Sequence, residues 1–392
     1  MFLKGLKVLD LSEVMAGPFC SMMLADMGAE VIKIEEPGRG DTSRQFGPPF
    51  PGGESVYYLS INRNKKSITL NLKSEEGKEI FLKLVSVADV LVESFRPGVM
   101  EKLGLSYKTI RKINPRLIYA SVSAFGQNGP YRDRGGFDLI AQGESGLMAL
   151  TGKANRPPVK LSIPICDIGT GMYLAYGIAV ALMARERDGK GCRIDMALLD
   201  TAVSFLTYWI GYYSAIGKQP ERLGTSHPFI IPYQAFRAKD SYIIIAVNDR
   251  LWRRLCEVLD LDELKENPKF TTNPKRFENQ KEILSILNKV IATKKADDLL
   301  SSLRKVGVPC CRINTIDKVI TNPQVIARKM VVDMNHTTAG RIKVAGIPIK
   351  FSKNPGKVRR PPPLLGQHTE EILLQLGHDK KTIKKLRKKS VI

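Results

Sequence analysis

The start of the chain constrains the fold most. "LKVLDLS" (6–12) reads as a short buried strand. "AGPFCSMMLADMGA" (16–29) reads as a helix, with Pro near its start and Gly28 at its end. "EVIKIEEP" (30–37) reads as a second strand. Strand, helix and strand at that spacing make a βαβ unit, which requires parallel pairing and a right-handed crossover. The alternation continues: "SITLNLKS" reads as a strand, "EEGKEIFLKLVSVA" as a helix, and "DVLVESF" and "LIYASVSAFG" as strands. The series predicts an α/β class chain with a Rossmann-like, doubly wound parallel sheet.

Further along, "CRIDMALLDTAVSFLTYWIGYYS" reads as a strand running into one long helix, and "GKQPERLGTSHPFIIP" as a linker. From residue 228 the texture changes. "YQAFRAKDSYIIIAVN" reads as a hairpin, "DRLWRRLCEVL", "QKEILSILNKVIATK" and "ADDLLSSLRKVG" as helices, and "VPCCRINTI" as a strand, which together make a small α+β module. "GRIKVAGIPIKFS" then reads as strands and "HTEEILLQLG" as a helix.

Composition narrows the function classes. A chain of 392 residues with 43% hydrophobic content has enough apolar material for a large core. Six scattered Cys without a CxxC pair, and only four His, offer little to a zinc site, and no metal is expected. The Cys pattern reads as reduced thiols in a cytoplasmic protein. "MFLKGLKVLDLS" lacks the apolar core and cleavage site of a signal peptide, and "MYLAYGIAVALMA" is too short for a membrane span, so no membrane partner is expected. The formal net charge of +22 favours polyanions. That charge is dispersed, with one dense cluster in "KKTIKKLRKKS". A basic anion- or nucleic-acid-binding protein is the non-enzyme alternative. It should interleave aromatic with basic residues, and the tail has none, so no nucleic-acid partner is expected.

Several residues are candidates for chemistry. In "SIPICDIGTG" (162–171), Ser162 to Cys166 reads as a buried strand, followed by Asp167, Gly169, Gly171 and an apolar helix. Asp167 fits an N-cap. It also fits a functional carboxylate, kept ionised by the helix start, with glycines clearing space for a substrate. Asp138, ahead of "LIAQ", reads as the cap of its own helix. Glu35 ends the first βαβ unit as a ribose-gripping acid would. The sequence has "EVMAGPFC" where the glycine fingerprint should stand, so no NAD or FAD site is expected.

Seven segments occur in one order: "LKVLDLSEVMAGPFCSMMLADMGAEVIKIEEPGRGD", "NRNKKSITLNLKSEEGKE", "ADVLVESFRPGVMEKLGL", "NPRLIYASVSAFGQNGPY", "GFDLIAQGESGLMALTG", "DIGTGMYLAYGIAVALMARERDGKG" and "PPLLGQHTEEILLQLG". Read together they resemble the family III CoA-transferases, of the formyl-CoA transferase and carnitine CoA-transferase kind, along nearly the whole chain. The resemblance implies transfer of CoA from an acyl-CoA to a small carboxylic acid, with CoA as co-substrate and no resident cofactor. It places the nucleophile at Asp167, through aspartyl anhydride and aspartyl-CoA thioester intermediates.

The resemblance also implies CoA contacts at Val14, Met15 and Ala16, at residues 70–73 including Leu70 and Lys73, at Ser94, Phe95 and Arg96, at Lys102, and at Arg132 and Arg134. His227 and Tyr233 would line the acceptor site. Met15 stands where formyl-CoA transferase has Gln, Glu36 where it has a basic residue, Lys102 for an Arg and Ser94 for an Asn, which argues against formyl-CoA as substrate. The acyl-CoA racemase branch of the same superfamily needs a His where this chain has Phe137, which cannot exchange a proton. The implied architecture is a ring-shaped chain forming an interlocked homodimer. Its large Rossmann-like domain would combine residues 1–210 and 325–392, with a small α+β domain at 228–322.

Overall fold

The computed structural model describes residues 1–392. The chain forms two compact units. Met1–Leu147, Lys160–Ile216 and Pro323–Ile392 make the first, and Met148–Val159 with Gly217–Asn322 make the second.

The chain runs through β1 (Lys7–Leu11), α1 (Ala16–Asp26), β2 (Glu30–Glu35), α2 (Val56–Ile61), β3 (Lys65–Thr69), α3 (Glu75–Ser86), β4 (Val90–Glu93), α4 (Val99–Lys102), α5 (Tyr107–Ile113), β5 (Ile118–Ser123) and α6 (Asp138–Glu144). It continues with α7 (Leu147–Leu150), where it leaves the first unit, then α8 (Ile165–Asp188), β6 (Arg193–Ala197), α9 (Leu198–Ser204) and α10 (Tyr208–Ile216). The six strands make one parallel sheet in the order β3-β2-β1-β4-β5-β6. This is the doubly wound order, and its direction reverses between β1 and β4. Sheets of this type open a ligand crevice there, beyond the carboxyl ends of the strands.

Period-2 alternation divides the core between the two faces. Leu9, Leu11, Ile32, Ile34 and Leu91 meet Ile80, Phe81 and Leu84 of α3 and Ile110 of α5. Val8, Val31, Val90, Val92 and Ala120 meet Cys20 and Leu24 of α1 and Leu174 and Ile178 of α8. The central strands are covered on both sides, which explains their near-continuous apolar runs.

The second unit carries an antiparallel sheet of β7 (Tyr233–Arg237), β8 (Tyr242–Ala246) and β9 (Cys310–Arg312). Around it lie α11 (Asp249–Leu259), α12 (Asn273–Glu278), α13 (Gln280–Thr293), α14 (Ala296–Lys305) and α15 (Ile316–Ile320). Arg276 sits fully buried in its core. Its guanidinium donates to the carbonyls of Ile231 at 2.7 Å and Phe270 at 2.8 Å, and to Asp249 Oδ1 at 2.6 Å. A buried charge is tolerated because its donors are met in this way.

The chain then returns to the first unit as α16 (Pro323–Ala327), a hairpin of β10 (Val331–His336) and β11 (Gly340–Ala345), α17 (Thr369–Gln375) and α18 (Lys380–Lys388). The basic tail is α18 itself. Ile383 and Leu386 dock into the core beside α3, and the lysines face solvent.

Four local readings are corrected. "SIPIC" forms no strand: Ser162 and Ile163 are an exposed bend, and Pro164, which lacks an N–H to donate, sets the start of α8. β3 begins at Lys65, earlier than "SITLNLKS", because Lys65 is buried against Asp10 at 2.9 Å and a charged residue hid the strand start. The helix after β6 breaks into α9 and α10, with Thr207 at φ 38° between them. Counted from Ile165, α8 has a mean hydropathy of 1.5 over its best window and is long and apolar enough to cross a membrane by length and composition. In the fold, Leu174, Ile178 and Leu182 of α8 are buried in the sheet-facing core.

Candidate active site

The β1–α1 turn lies at the switch point of the sheet. Val14 has φ 71°, a left-handed conformation that is costly for a β-branched residue. Its N–H donates to Asp41 Oδ1 at 3.1 Å, which also accepts from Ser43 N at 2.8 Å. The other Asp41 oxygen is 2.8 Å from Lys33 Nζ, and Lys33 also donates to the Ser12 carbonyl at 2.7 Å. Lys33 is fully buried. Burial opposes its charge, but Asp41, Asp10 and Glu35 hold it protonated, above the ordinary lysine range. A rigid ionic frame therefore fixes the turn from below.

The β4 loop is tied to this turn. Glu13 N donates to Ser94 Oγ at 2.9 Å, and Phe95 N donates to Glu93 Oε2 at 2.9 Å. Arg96 lies against the loop after β5, where a Cβ added to Gly135 would meet its Nη2 at 2.8 Å. Arg134 pairs with Glu144 at 2.7 Å and covers the Tyr131 ring at 4.2 Å. Arg132 is exposed beside Asp133 at 3.4 Å.

Asp167 is the third residue of α8, not its N-cap, which is Pro164. The cap comes from elsewhere. Asp138 Oδ1 accepts from Cys166 N at 2.8 Å and Asp167 N at 3.2 Å, while its Oδ2 accepts from Gln142 Nε2 at 2.6 Å. Gln142 Oε1 accepts from Leu161 N at 2.9 Å. Asp138 is thus a capping residue, as its sequence context suggests, but it caps α8 rather than its own helix.

The glycines of "DIGTG" do not clear space for a ligand. A Cβ on Gly171 would lie 2.6 Å from the Ala16 carbonyl, and one on Gly169 would lie 2.3 Å from the Phe205 ring. Gly171 lets the backbones of α8 and α1 touch, and Asp167 stands one turn before that contact. Ile168 packs with Val14, Met15, Phe19 and Tyr57. The carboxylate and the strained turn are therefore brought to one place.

The electrostatics there differ from the sequence reading. Burial first, and the Asp138 charge second, push Asp167 up to about 7. Burial, with a second carboxylate beside it, overturns the expectation of a permanently ionised group. The neighbouring Cys166 thiol is pushed up to about 12 by burial and the same two carboxylates, so it is no thiolate nucleophile near neutral pH. Tyr57 has no signal in the sequence reading. Burial and the charges of Asp167, Asp138 and Asp41 keep its hydroxyl protonated above the ordinary phenol range.

The remaining site candidates are dispersed. Leu70 is buried at the end of β3, with its N–H on the Glu35 carbonyl at 2.8 Å, and Lys73 is exposed, 3.5 Å from Glu36. Both lie at the same carboxyl edge, two strands from β1. Lys102 ends α4 and is exposed. His227 and Tyr233 belong to the second unit. His227 Nδ1 accepts from Phe229 N at 3.0 Å and Ile230 N at 3.1 Å, so that nitrogen holds a turn. Glu35 is occupied: Arg44 forks onto both its oxygens at 2.7 and 2.9 Å, and Ser67 Oγ donates at 2.6 Å. No group of three or more His, Cys, Asp or Glu side chains gathers to hold a metal ion.

Comparison with known proteins agrees in kind. The family model for CoA-transferase family III matches residues 3–369. Human succinyl-CoA:glutarate CoA-transferase is 43% identical over 392 residues, covering 100% of this chain and 90% of that protein. Acetyl-CoA:oxalate CoA-transferase of Acetobacter aceti is 41% identical over 350 residues, 89% of this chain and 88% of that one. Among solved structures, a CAIB/BAIF family protein from Brucella suis superposes with a TM-score of 0.85 at 40% identity, covering 95% of this chain and 99% of that one.

Proposed function

The chain belongs to CoA-transferase family III and is a CoA-transferase, and we propose that Asp167 carries the transfer as its nucleophile. The observation behind this is the fixed start of α8, where Asp138 holds the Asp167 N–H and Gly171 presses the helix onto α1 beside the Val14 turn.

The steps balance without an outside energy source. The Asp167 carboxylate attacks the thioester carbonyl and expels CoA thiolate, leaving a mixed anhydride. The thiolate attacks the aspartyl carbonyl of that anhydride and releases the donor acid as its carboxylate. Asp167 is then a CoA thioester. The acceptor carboxylate attacks this thioester, re-forming an anhydride and thiolate. Attack of the thiolate on the acceptor acyl carbonyl gives the new acyl-CoA and returns the Asp167 carboxylate. Each intermediate is an activated acyl group, which is the logic of covalent catalysis.

CoA would lie along the carboxyl edge of the sheet. Val14, Met15 and Ala16 would meet its thiol end, and the 94–96 loop would follow. Arg96, Lys102, Arg132, Arg134 and Lys73 would supply charge for its phosphates, and Leu70 an apolar wall. His227 and Tyr233 would line the acceptor. Relatives named for succinyl-CoA with glutarate, D-citramalate or mesaconate support a dicarboxylic acyl donor and acceptor. Incubation with succinyl-CoA and a panel of dicarboxylates, followed by mass spectrometry, tests this. New acyl-CoA species are expected, and none forming with any acid would refute it.

The working form is an interlocked homodimer. Met172, Tyr176, Val180 and Met183 leave an apolar stripe exposed on α8, with Tyr176 at 69% and Met183 at 74% exposure. Such a stripe calls for a cover. Light scattering should give a dimer mass, and a monomer would refute it. The six free thiols fit a reducing, cytoplasmic setting. Fractionation that finds the protein outside the cytoplasm would contradict that setting.

A further inference from the structure

The opposite, amino-terminal edge of the sheet carries a concave feature, at the other end of the strands from the Val14 turn. The segment entering β1, the starts of β2 and β3, and the stretch before α17 enclose a cavity of about 310 Å³. Five cations line it, Lys4, Lys7, Lys66, Arg359 and Arg360, with Glu30 as the one acid.

The acids near this cavity are already engaged. Lys66 Nζ stands 2.8 Å from Glu30 and 2.9 Å from Glu371. Arg359 spends one nitrogen on the Ala25 carbonyl at 2.7 Å. Lys4, Lys7 and Arg360 are exposed, with no acid at ion-pair distance. Like charges around a concave, low-dielectric wall raise the local potential, and an anion relieves it.

The wall is built in advance. Asn64 stands at φ 65°, and its Oδ1 accepts from Arg359 N at 2.6 Å and Arg360 N at 3.0 Å. Its amide donates to Asp26 at 2.7 Å and to the Lys357 carbonyl at 2.9 Å. Asp26 is itself gripped by Arg63 at 2.7 Å. One strained asparagine thus staples the stretch bearing both arginines to the sheet edge. The guanidinium and ammonium groups that face the cavity are suited to phosphoryl oxygens.

We propose that this cavity binds a small phosphorylated polyanion of about pyrophosphate size, at a site separate from the catalytic edge. The assignment does not depend on the role of Asp167.

Inorganic pyrophosphate titrated calorimetrically into the full-length protein, with and without saturating CoA, tests it. Binding should persist with CoA present and weaken with added salt. Removing a charged contact costs about tenfold in affinity, so Lys7→Ala/Arg360→Ala should lose about a hundredfold while CoA affinity stays as in wild type. If that double variant fails to fold, Lys4→Ala, in an exposed turn, should lose about tenfold by the same reasoning. Succinate titrated in parallel should bind more weakly, and equal affinity would overturn the phosphoryl assignment. No binding to wild type at low salt, or unchanged affinity in the variants, would overturn the site.

Discussion

The Asp138 carboxylate accepts a hydrogen bond from the Asp167 N–H at 3.2 Å, across 29 residues of sequence. The same group that fixes the backbone of the proposed nucleophile also sets a negative charge beside its carboxylate. Asp138 therefore does two opposed things: it orders the α8 start and raises the pH at which the Asp167 carboxyl ionises.

The first consequence is a pH profile. With Asp167 pushed up to about 7, kcat/KM should rise with pH and level off above that value, because only the carboxylate attacks. Asp138→Asn keeps an oxygen for the two N–H groups and removes the charge. Its acid limb should move to lower pH. An unmoved limb would show that Asp138 does not act on the titration.

A second consequence concerns stability. A carboxyl group whose folded-state pKa is raised is penalised once it ionises, so its contribution falls as pH climbs from the unfolded value near 4 through about 7. Asp167→Asn should therefore stabilise the protein above pH 7, by roughly 1–3 kcal/mol, and have little effect near pH 4. Thermal melts at both pH values check the sign. Equal or lower melting of the variant at high pH would contradict it.

A third concerns Gly171. Alanine is the better helix former, yet its Cβ would sit 2.6 Å from the Ala16 carbonyl. Overpacking of this kind costs about 1–3 kcal/mol. Gly171→Ala should lower the melting temperature and, by shifting the Val14 turn, reduce transfer as well. A more stable, fully active variant would show that the two helices do not need this approach.

A fourth concerns Lys102, exposed at the end of α4. A charged contact to phosphate is worth about 1.5–3 kcal/mol. Lys102→Ala should raise KM for every acyl-CoA by a similar factor and leave kcat in place. Unchanged KM for all donors would remove Lys102 from the CoA site.

Much of the fold was legible because the central strands bury both faces. Val8, Leu9, Val90 and Leu91 point alternately to two apolar cores, so the runs stand out even without periodicity. Lys65 was harder to read. It is charged, yet fully buried, because Asp10 meets it across the fold. At Asp167 the sequence offers one residue with two readings, and nothing of its setting. An acid before glycines suggests both a cap and a nucleophile. Only the fold shows that the cap is Asp138, that the glycines serve helix contact, and that Tyr57 stands in the same field. Nor does anything in residues 148–159 mark their departure to the second unit.

The transfer proposed for Asp167 passes through a covalent bond to its side chain, and trapping that bond is the most direct measurement. Wild-type protein is mixed with succinyl-CoA and hydroxylamine, digested, and the peptide bearing residue 167 is sequenced by mass spectrometry. The anhydride and the aspartyl thioester both react with hydroxylamine, so a hydroxamate at Asp167 is expected, dependent on acyl-CoA and absent in Asp167→Asn. An unmodified Asp167 together with retained turnover in Asp167→Asn would contradict the mechanism.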